Sequence, residues 1–290
     1  MSAGKYVLIT PARNEEAFIE RTLQAVIAQT VLPKKWIIVS DGSTDRTDEI
    51  VSHYVAKYDF IQLVRITGHN QRTFSSKVNA FNAGYHPLRN MEYDYIGILD
   101  ADVSFGPSYY EMILKKFLDN KKLGIAGGIR YDLCNGKFER VLCARNSVGG
   151  PFQLFRRKCY EDIGGFTPLA IGGEDAVAEI MARMHGWQVQ SFPEIKVFHY
   201  RWTGTATGSV LVTKFREGIK NYLLGYHPLF QMVRSIYRVK EKPYGLSGLL
   251  LLSGYVWAFS QRYERAVSKD LVRYLRREQV ATLMLLVFKA

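Results

Sequence analysis

Tyr95-Ile96-Gly97-Ile98-Leu99-Asp100-Ala101-Asp102 is an apolar run that stops abruptly at two carboxylates. An uninterrupted run of this length reads as a buried strand, so the Asp-x-Asp that closes it stands at the strand's carboxyl end. Pro107, shortly beyond, opens a helix. A helix near Lys77 to Tyr85 precedes the run. Further upstream the same grammar occurs twice: Val7-Leu8-Ile9, the loop Pro11 to Asn14, then Ile19, Leu23, Val26 and Ile27 at helical spacing; and Trp36-Ile37-Ile38-Val39, the turn Asp41-Gly42-Ser43-Thr44, then Ile50, Val51, Tyr54 and Val55. Strand, loop and helix in series imply an α/β chain with a mainly parallel sheet. Ligands of such sheets bind beyond the carboxyl ends of the strands, so one cleft is expected to hold Asp41, Asp100 and Asp102.

Downstream, the mixed stretch from Gly124 to Arg157 is the natural place for the sheet to finish. Glu174-Asp175 then precedes Val177, Ile180, Met181 and Met184, the spacing of an amphipathic helix with Asp175 near its N-terminus. After His199 the pattern changes to a helical stripe of Leu211, Phe215, Ile219, Tyr222 and Leu223. The expected division is a domain over 1–208 and a helical extension over 209–290.

The chain has 290 residues, 47% of them hydrophobic, enough for one large core with an appendage. Cys134, Cys143 and Cys159 form an odd set without zinc spacing, which fits a reducing compartment. Tyr6-Val7-Leu8-Ile9 runs straight into a strand with no signal-like region, so a cytoplasmic protein is expected. The net charge of +12 is concentrated late: residues 211–290 hold 14 Lys and Arg against 5 Asp and Glu. Leu246 to Phe259 is almost wholly apolar, yet shorter than the ~20 residues that a spanning helix needs. Arg262, Arg265, Lys269, Arg273, Arg276 and Arg277 follow among Val267, Leu271 and Leu275. This combination fits a basic segment lying on the cytoplasmic face of a membrane; a packed or oligomerising helical subdomain is the alternative. No nucleic-acid motif accompanies the charge.

Two carboxylates one residue apart at a strand end can hold a divalent cation that in turn binds a diphosphate, and Mn2+ or Mg2+ suits such oxygen donors. Asp-x-Asp also occurs in solvated turns. The apolar strand directly before it and Asp41 at an earlier strand end favour the site. Considered together, Val7-Leu8-Ile9-Thr10-Pro11-Ala12-Arg13-Asn14-Glu15-Glu16, Ile38-Val39-Ser40-Asp41-Gly42-Ser43-Thr44-Asp45, Lys77 with Asn82, Leu99-Asp100-Ala101-Asp102, Gly164-Gly165-Phe166 and Gly173-Glu174-Asp175 resemble, in order and spacing, a family-2 inverting glycosyltransferase with the GT-A fold, over roughly residues 5 to 202.

The resemblance implies a nucleotide-sugar donor, a UDP-sugar being the commonest case, and a glycan or lipid-linked acceptor. It assigns Pro11, Arg13, Glu15, Asp41, Lys77 and Asp100 to the donor; apart from the resemblance, Arg201 and the glycine-hinged Thr203–Gly208 could clamp the diphosphate as a lid, an ordinary exposed loop being the alternative. The resemblance makes Asp102 and His199 metal ligands, and Glu174-Asp175 the acceptor-side acids, Asp175 being the general base. Unaided, Glu15 is also a helix N-terminal acid, Asp41 a turn former, Lys77 a solvated cation, Asp175 a helix cap and His199 a structural residue.

Two departures matter. Polymerising synthases of the family carry Gln-x-x-Arg-Trp and spanning helices, whereas Arg201-Trp202 lacks the glutamine, so single transfer is expected. Thr167 after Gly165-Phe166 leaves the acceptor open. The competing readings are a sugar nucleotidyltransferase, whose glycine-rich loop is missing from Thr10-Pro11-Ala12-Arg13, and a non-catalytic membrane-recruited scaffold, against which Asp100, Asp102 and Asp175 speak.

Overall fold

The computed structural model describes residues 4–66, 74–201, 209–241 and 243–287. The chain divides into two compact units, Met1–Trp202 and Thr203–Ala290. The Thr203–Gly208 stretch expected to form a lid lies outside the described residues.

In the first unit, β1 (Tyr6–Ala12), β2 (Lys35–Asp41), β3 (Ile61–Ile66) and β4 (Tyr95–Ile98) are parallel neighbours in the order β3-β2-β1-β4. Val7, Leu8 and Ile9 on β1 and Trp36 to Val39 on β2 are fully buried, because helices cover both faces of a parallel sheet and leave no position to alternate. The sheet continues through β8 (Leu154–Arg156), β6 (Leu123–Cys134), β9 (Gln188–His199) and β5 (Val103–Phe105). In this half β6 and β9 run parallel, while β4 with β8, β8 with β6 and β9 with β5 are antiparallel. β7 (Lys137–Arg140) hangs from β6 as a hairpin whose turn is Asn135-Gly136, both at positive φ, the pair that suits a two-residue turn.

Of the flanking helices, α1 (Ile19–Ile27) buries Ile19, Leu23 and Val26, and α2 (Thr47–Val55) buries Val51 and Tyr54, as their spacing requires. α3 (Phe74–Tyr85) comes very close to the sheet at Gly84, where a Cβ would stand 2.7 Å from Ile9 and 2.9 Å from Val39. α4 (Tyr109–Asp119), α5 (Arg157–Asp162) and α6 (Glu174–Met184) complete the unit. On α6 one expected core position differs: Met184 is exposed and Glu179 is buried.

The second unit is helical: α7 (Val210–Leu223), α8 (Pro228–Arg238), α9 (Leu246–Ser260) and α10 (Lys269–Val287). Leu211, read from the sequence as part of the α7 stripe, is exposed. Among the described residues no helix is long and apolar enough to cross a membrane.

Candidate active site

The carboxyl ends of β1, β2 and β4 bring the sequence motifs to one edge. Pro11 is registered against Val39 near the end of β1, Asp41 closes β2, and Asp100 comes two residues after the end of β4. With strands ~4.8 Å apart, Asp41 and Asp100 stand about 10 Å apart across the sheet. The two loops above this edge are laced together. Asn14, at φ 55°, accepts from the Thr44 amide through its side chain at 2.8 Å, and the Glu15 amide donates to Thr47 Oγ at 2.7 Å. The Glu16 amide donates to Asp45 at 3.0 Å, while the Arg46 amide donates to the Glu16 carboxylate, also at 3.0 Å. Asn14, Asp45 and Thr47 therefore shape the loops, a role that motif reading did not assign.

Asp41 is 5% exposed; one of its oxygens lies 3.8 Å from Arg13, and the other has no hydrogen-bond partner among the described residues. A buried, unpartnered acceptor is costly unless something donates to it, and a ribose hydroxyl or base N–H has the right chemistry. Glu15, also 5% exposed, gives both oxygens to Arg201, at 3.1 and 2.6 Å. This bidentate pair fixes the guanidinium, which also stacks 5.4 Å from the Phe18 ring and reaches to 3.7 Å from Asp102. Glu15 is not at a helix N-terminus, since α1 begins at Ile19. Its geometry makes it the group that orients Arg201.

Lys77, on α3, lies 2.7 and 3.0 Å from the two Asp100 oxygens. Burial works against its charge, but Asp100, Glu174 and Asp175 together outweigh it and hold its pKa above the ordinary lysine value. The acids expected on the donor and acceptor sides thus share one electrostatic neighbourhood.

His199 ends β9 between two strands. It is registered against Asp132 on β6 and against Val103 on β5, next to Asp102. Its Nε2 lies 3.4 Å from Asp102 Oδ1 and its Nδ1 3.1 Å from Asp132 Oδ1. Burial opposes protonation of His199, yet the two carboxylates push its pKa up to about 9. For Asp102, burial alone would raise the pKa, and His199, Arg201 and Lys77 hold it below the usual carboxylate range. This donor set fits a divalent cation. Ligands sharing one Mn2+ or Mg2+ at right angles sit about 3 Å apart, and a ligating histidine characteristically has its other nitrogen on a carboxylate. A cation would compete with the His199 proton. Among the described residues no three His, Cys, Asp or Glu side chains form a metal cage, so phosphate oxygens would have to complete the shell. Asp132, itself 3.0 Å from Arg130, was not singled out from the sequence, because only the β6–β9 register brings it to His199.

Asp175, in the first turn of α6, accepts from the Ala176 amide at 2.8 Å and makes no ion pair among the described residues. It is pressed against Gly150, where a Cβ would stand 2.5 Å from Asp175 Oδ2. The neighbouring Pro151 carbonyl accepts from the Asp100 amide at 2.8 Å. The Gly150-Pro151 turn, also unassigned by the sequence, therefore joins the Asp-x-Asp loop to the acid on α6. Behind it, Glu179 Oε1 accepts from the Val148 amide at 2.6 Å and from Gln153 Nε2 at 3.0 Å, anchoring the turn from both sides. Burial, reinforced by the Asp175 charge, pushes Glu179 up to about 8.

This mixed sheet flanked by helices, with acids at the carboxyl edge of its parallel strands, has the GT-A fold. The mannosyltransferase PcManGT from Pyrobaculum calidifontis, solved in complex with GDP-Man and Mn2+, matches with a TM-score of 0.56 at 18% identity, over 97% of this chain and 81% of that one. GalNAc-T7, solved with UDP, GalNAc and Mn2+, matches with a TM-score of 0.57 at 14% identity, over 90% and 59%. The poly-beta-1,6-N-acetyl-D-glucosamine synthase of Staphylococcus aureus (strain COL) is 27% identical over 199 residues, 62% of this chain and 46% of the synthase, so the chain spans less than half the length of that relative. The profile of Glycosyl transferase family 2 matches residues 7–180, more than half of the chain, and the chain belongs to that family.

Proposed function

We propose that the chain transfers a single sugar, with inversion at the anomeric carbon, from a nucleotide-diphosphate sugar to a hydroxyl of a glycan or lipid-linked acceptor in polysaccharide or glycoconjugate biosynthesis. One observation carries this reading: the Asp175 carboxylate packs on the same short turn that holds the backbone of Asp100. An acid with no ion pair among the described residues thereby stands beside the donor-side carboxylates.

In this reading the nucleoside lies against Pro11, Arg13 and Asp41, and Lys77 and Arg201 neutralise the diphosphate, Arg201 being held by Glu15. Mn2+ or Mg2+ at Asp102 and His199, with Asp100 beside them, would supply positive charge to the departing diphosphate. Asp175 accepts the hydroxyl proton of the acceptor as that oxygen bonds to the anomeric carbon. The bond from that carbon to the diphosphate oxygen breaks, and its electron pair leaves with the nucleoside diphosphate. Glu174 keeps a second negative charge toward Lys77. The Mn2+ complexes of PcManGT with GDP-Man and of GalNAc-T7 with UDP support a divalent cation and a nucleoside diphosphate, and we favour a UDP-sugar. The likeness to the staphylococcal synthase supports a polysaccharide setting. Three residues before Arg201 stands Phe198, packed 4.9 Å from the Phe138 ring, where a polymerising synthase would have glutamine; this supports one addition per acceptor.

The test is Asp175→Asn. Stabilisation by UDP or GDP with Mn2+ should match the wild type, while transfer falls by about 10²–10⁴-fold, the usual size of a general-base contribution. Wild-type turnover in that variant would remove Asp175 from the base role, and a ladder of products from the wild type would replace single transfer with polymerisation.

A further inference from the structure

Within the helical unit, α8 is turned inside out. On α8, Leu229, Met232 and Ile236 are 58%, 50% and 69% exposed, while Gln231 and Ser235 on the opposite face are 0% and 3% exposed. A helix packed for water does the reverse. The interior polar groups satisfy one another: Asn221 donates to Gln231 at 3.0 Å, Gln231 to Ser235 at 3.2 Å, Arg234 lies 3.3 Å from Glu217 and Lys214 lies 2.9 Å from Glu241. α9 is apolar on both sides: Leu251, Tyr255 and Ala258 are buried beside Ser247, while Leu246, Leu249, Val256, Trp257 and Phe259 are exposed.

The packing matches this polarity. A Cβ at Gly254 would stand 2.0 Å from the Phe215 carbonyl oxygen, and one at Gly218 would stand 2.1 Å from that of Leu251, so α7 and α9 touch backbone to backbone. At Gly248 a Cβ would meet the Ser235 carbonyl of α8 at 2.2 Å. Small residues at the crossings, polar groups between the helices and apolar groups outside are how helices associate in lipid, where apolar surface has no reason to hide.

Charge selects the kind of membrane. Among the described residues, the exposed charges of this unit are Arg216, Lys240, Arg262, Lys269, Arg273 and Arg277 against Glu264 and Asp270, the acids Glu217 and Glu241 being turned inward. Length selects the depth. α8 and α9, with 11 and 15 residues, measure about 16 and 22 Å at 1.5 Å per residue, short of a bilayer's ~30 Å core. The basic segment expected to lie on the membrane is different in kind: Leu271 and Leu275 of α10 are buried, so its apolar stripe already has a partner.

We infer that the outward faces of α8 and α9 insert into one leaflet of an anionic phospholipid membrane. This inference is independent of the transfer chemistry, and the experiment keeps the two apart. The full chain is mixed with phosphatidylcholine vesicles with or without 30% phosphatidylglycerol, and with anionic vesicles of brominated lipid. The expected result is sedimentation with the anionic vesicles, with Trp257 emission shifted to the blue and quenched by bromine, and the quenching lost in Trp257→Phe. The double variant Ile236→Asp/Leu249→Asp alters only exposed positions, so it should fold normally and keep transfer to a soluble acceptor while its partitioning drops at least tenfold. Wild-type partitioning by this variant would overturn the inference. So would sedimentation without bromine quenching, which would mean surface charge alone, or self-association without vesicle binding, which would make the face a contact between copies.

Discussion

Gly150→Ala tests the geometry most directly. Gly150 is not at positive φ, so alanine meets no backbone penalty there, and the whole perturbation is one methyl group. That methyl would lie 2.5 Å from Asp175 Oδ2, 3.0 Å from Cγ and 3.1 Å from Cβ. To restore an ordinary contact of about 3.5 Å, the carboxylate has to retreat by roughly 1 Å. Overpacking of this kind costs about 1–3 kcal/mol. A catalytic group misplaced by about 1 Å costs about 10²-fold in rate, equivalent to about 2.7 kcal/mol of barrier. The expected outcome is a kcat reduced about a hundredfold with the affinity for donor nucleotide retained, measured by steady-state transfer alongside calorimetric titration of nucleotide and Mn2+. In the Asp175→Asn background the same methyl should cost almost nothing further, because both changes act through one carboxylate. An unchanged kcat, or a full additional loss in the double variant, would refute the assignment of the turn to Asp175.

Glu179→Gln should change how stability depends on pH. The folded pKa, pushed to about 8, lies above the ordinary glutamate value of 4.5, so the folded state holds the extra proton; stability is full below about pH 4.5 and declines as pH rises towards 8. Glutamine accepts the same two hydrogen bonds without titrating, so its advantage over wild type should widen by about 1.4 kcal/mol per pH unit across that window. Urea denaturation at pH 5.5 and 8 checks this, and a constant difference would show that Glu179 does not titrate there. At the proposed cation site, Asp102→Asn and His199→Ala should abolish the Mn2+-dependent part of nucleotide stabilisation, whereas Asp132→Asn, which only orients His199, should weaken apparent Mn2+ affinity by about 10–100-fold. Mn2+ titrations followed by thermal shift distinguish the three; wild-type affinity in Asp132→Asn would make that contact structural.

The sequence exposes what is local. β1, β2 and β4 are continuous apolar runs because both faces of a parallel sheet are covered, and the acids at the carboxyl ends of β2 and β4 come to one edge by topology alone. Asn135-Gly136 is a local hairpin signal of the same kind. Asp132 is different: it faces His199 only after β6 and β9 pair with two register shifts, information that neither strand contains. Glu179 looks like a polar-face residue until Val148 and Gln153 close over it, and Gly150 looks like a turn residue until α6 packs on it. In the second unit the apolar run of α9 and the basic segment after it are legible as surface-active, but α8 is not singled out, because its outward Leu229, Met232 and Ile236 stand apart only once Gln231 and Ser235 are seen to be buried.

Ion pairing divides the carboxylates of the site into two kinds. Asp41 faces Arg13, Asp100 holds Lys77, Asp102 touches His199 and Arg201, Glu15 grips Arg201, and Asp132 lies on His199 and Arg130. Each of these acids is placed as a counter-ion to a basic side chain. In the proposed reaction, phosphate that draws Lys77 and Arg201 toward itself would leave Asp100, Glu15 and Asp102 in need of another positive charge, so the proposed donor and divalent cation would belong to one exchange of partners. Asp175 stands outside that exchange. It contacts a backbone amide and the bare Cα of Gly150, and it makes no ion pair among the described residues. The close-packed turn brings this acid up to the donor-side loop with one glycine, and in the proposed reaction it is to Asp175 that an acceptor hydroxyl would present its proton.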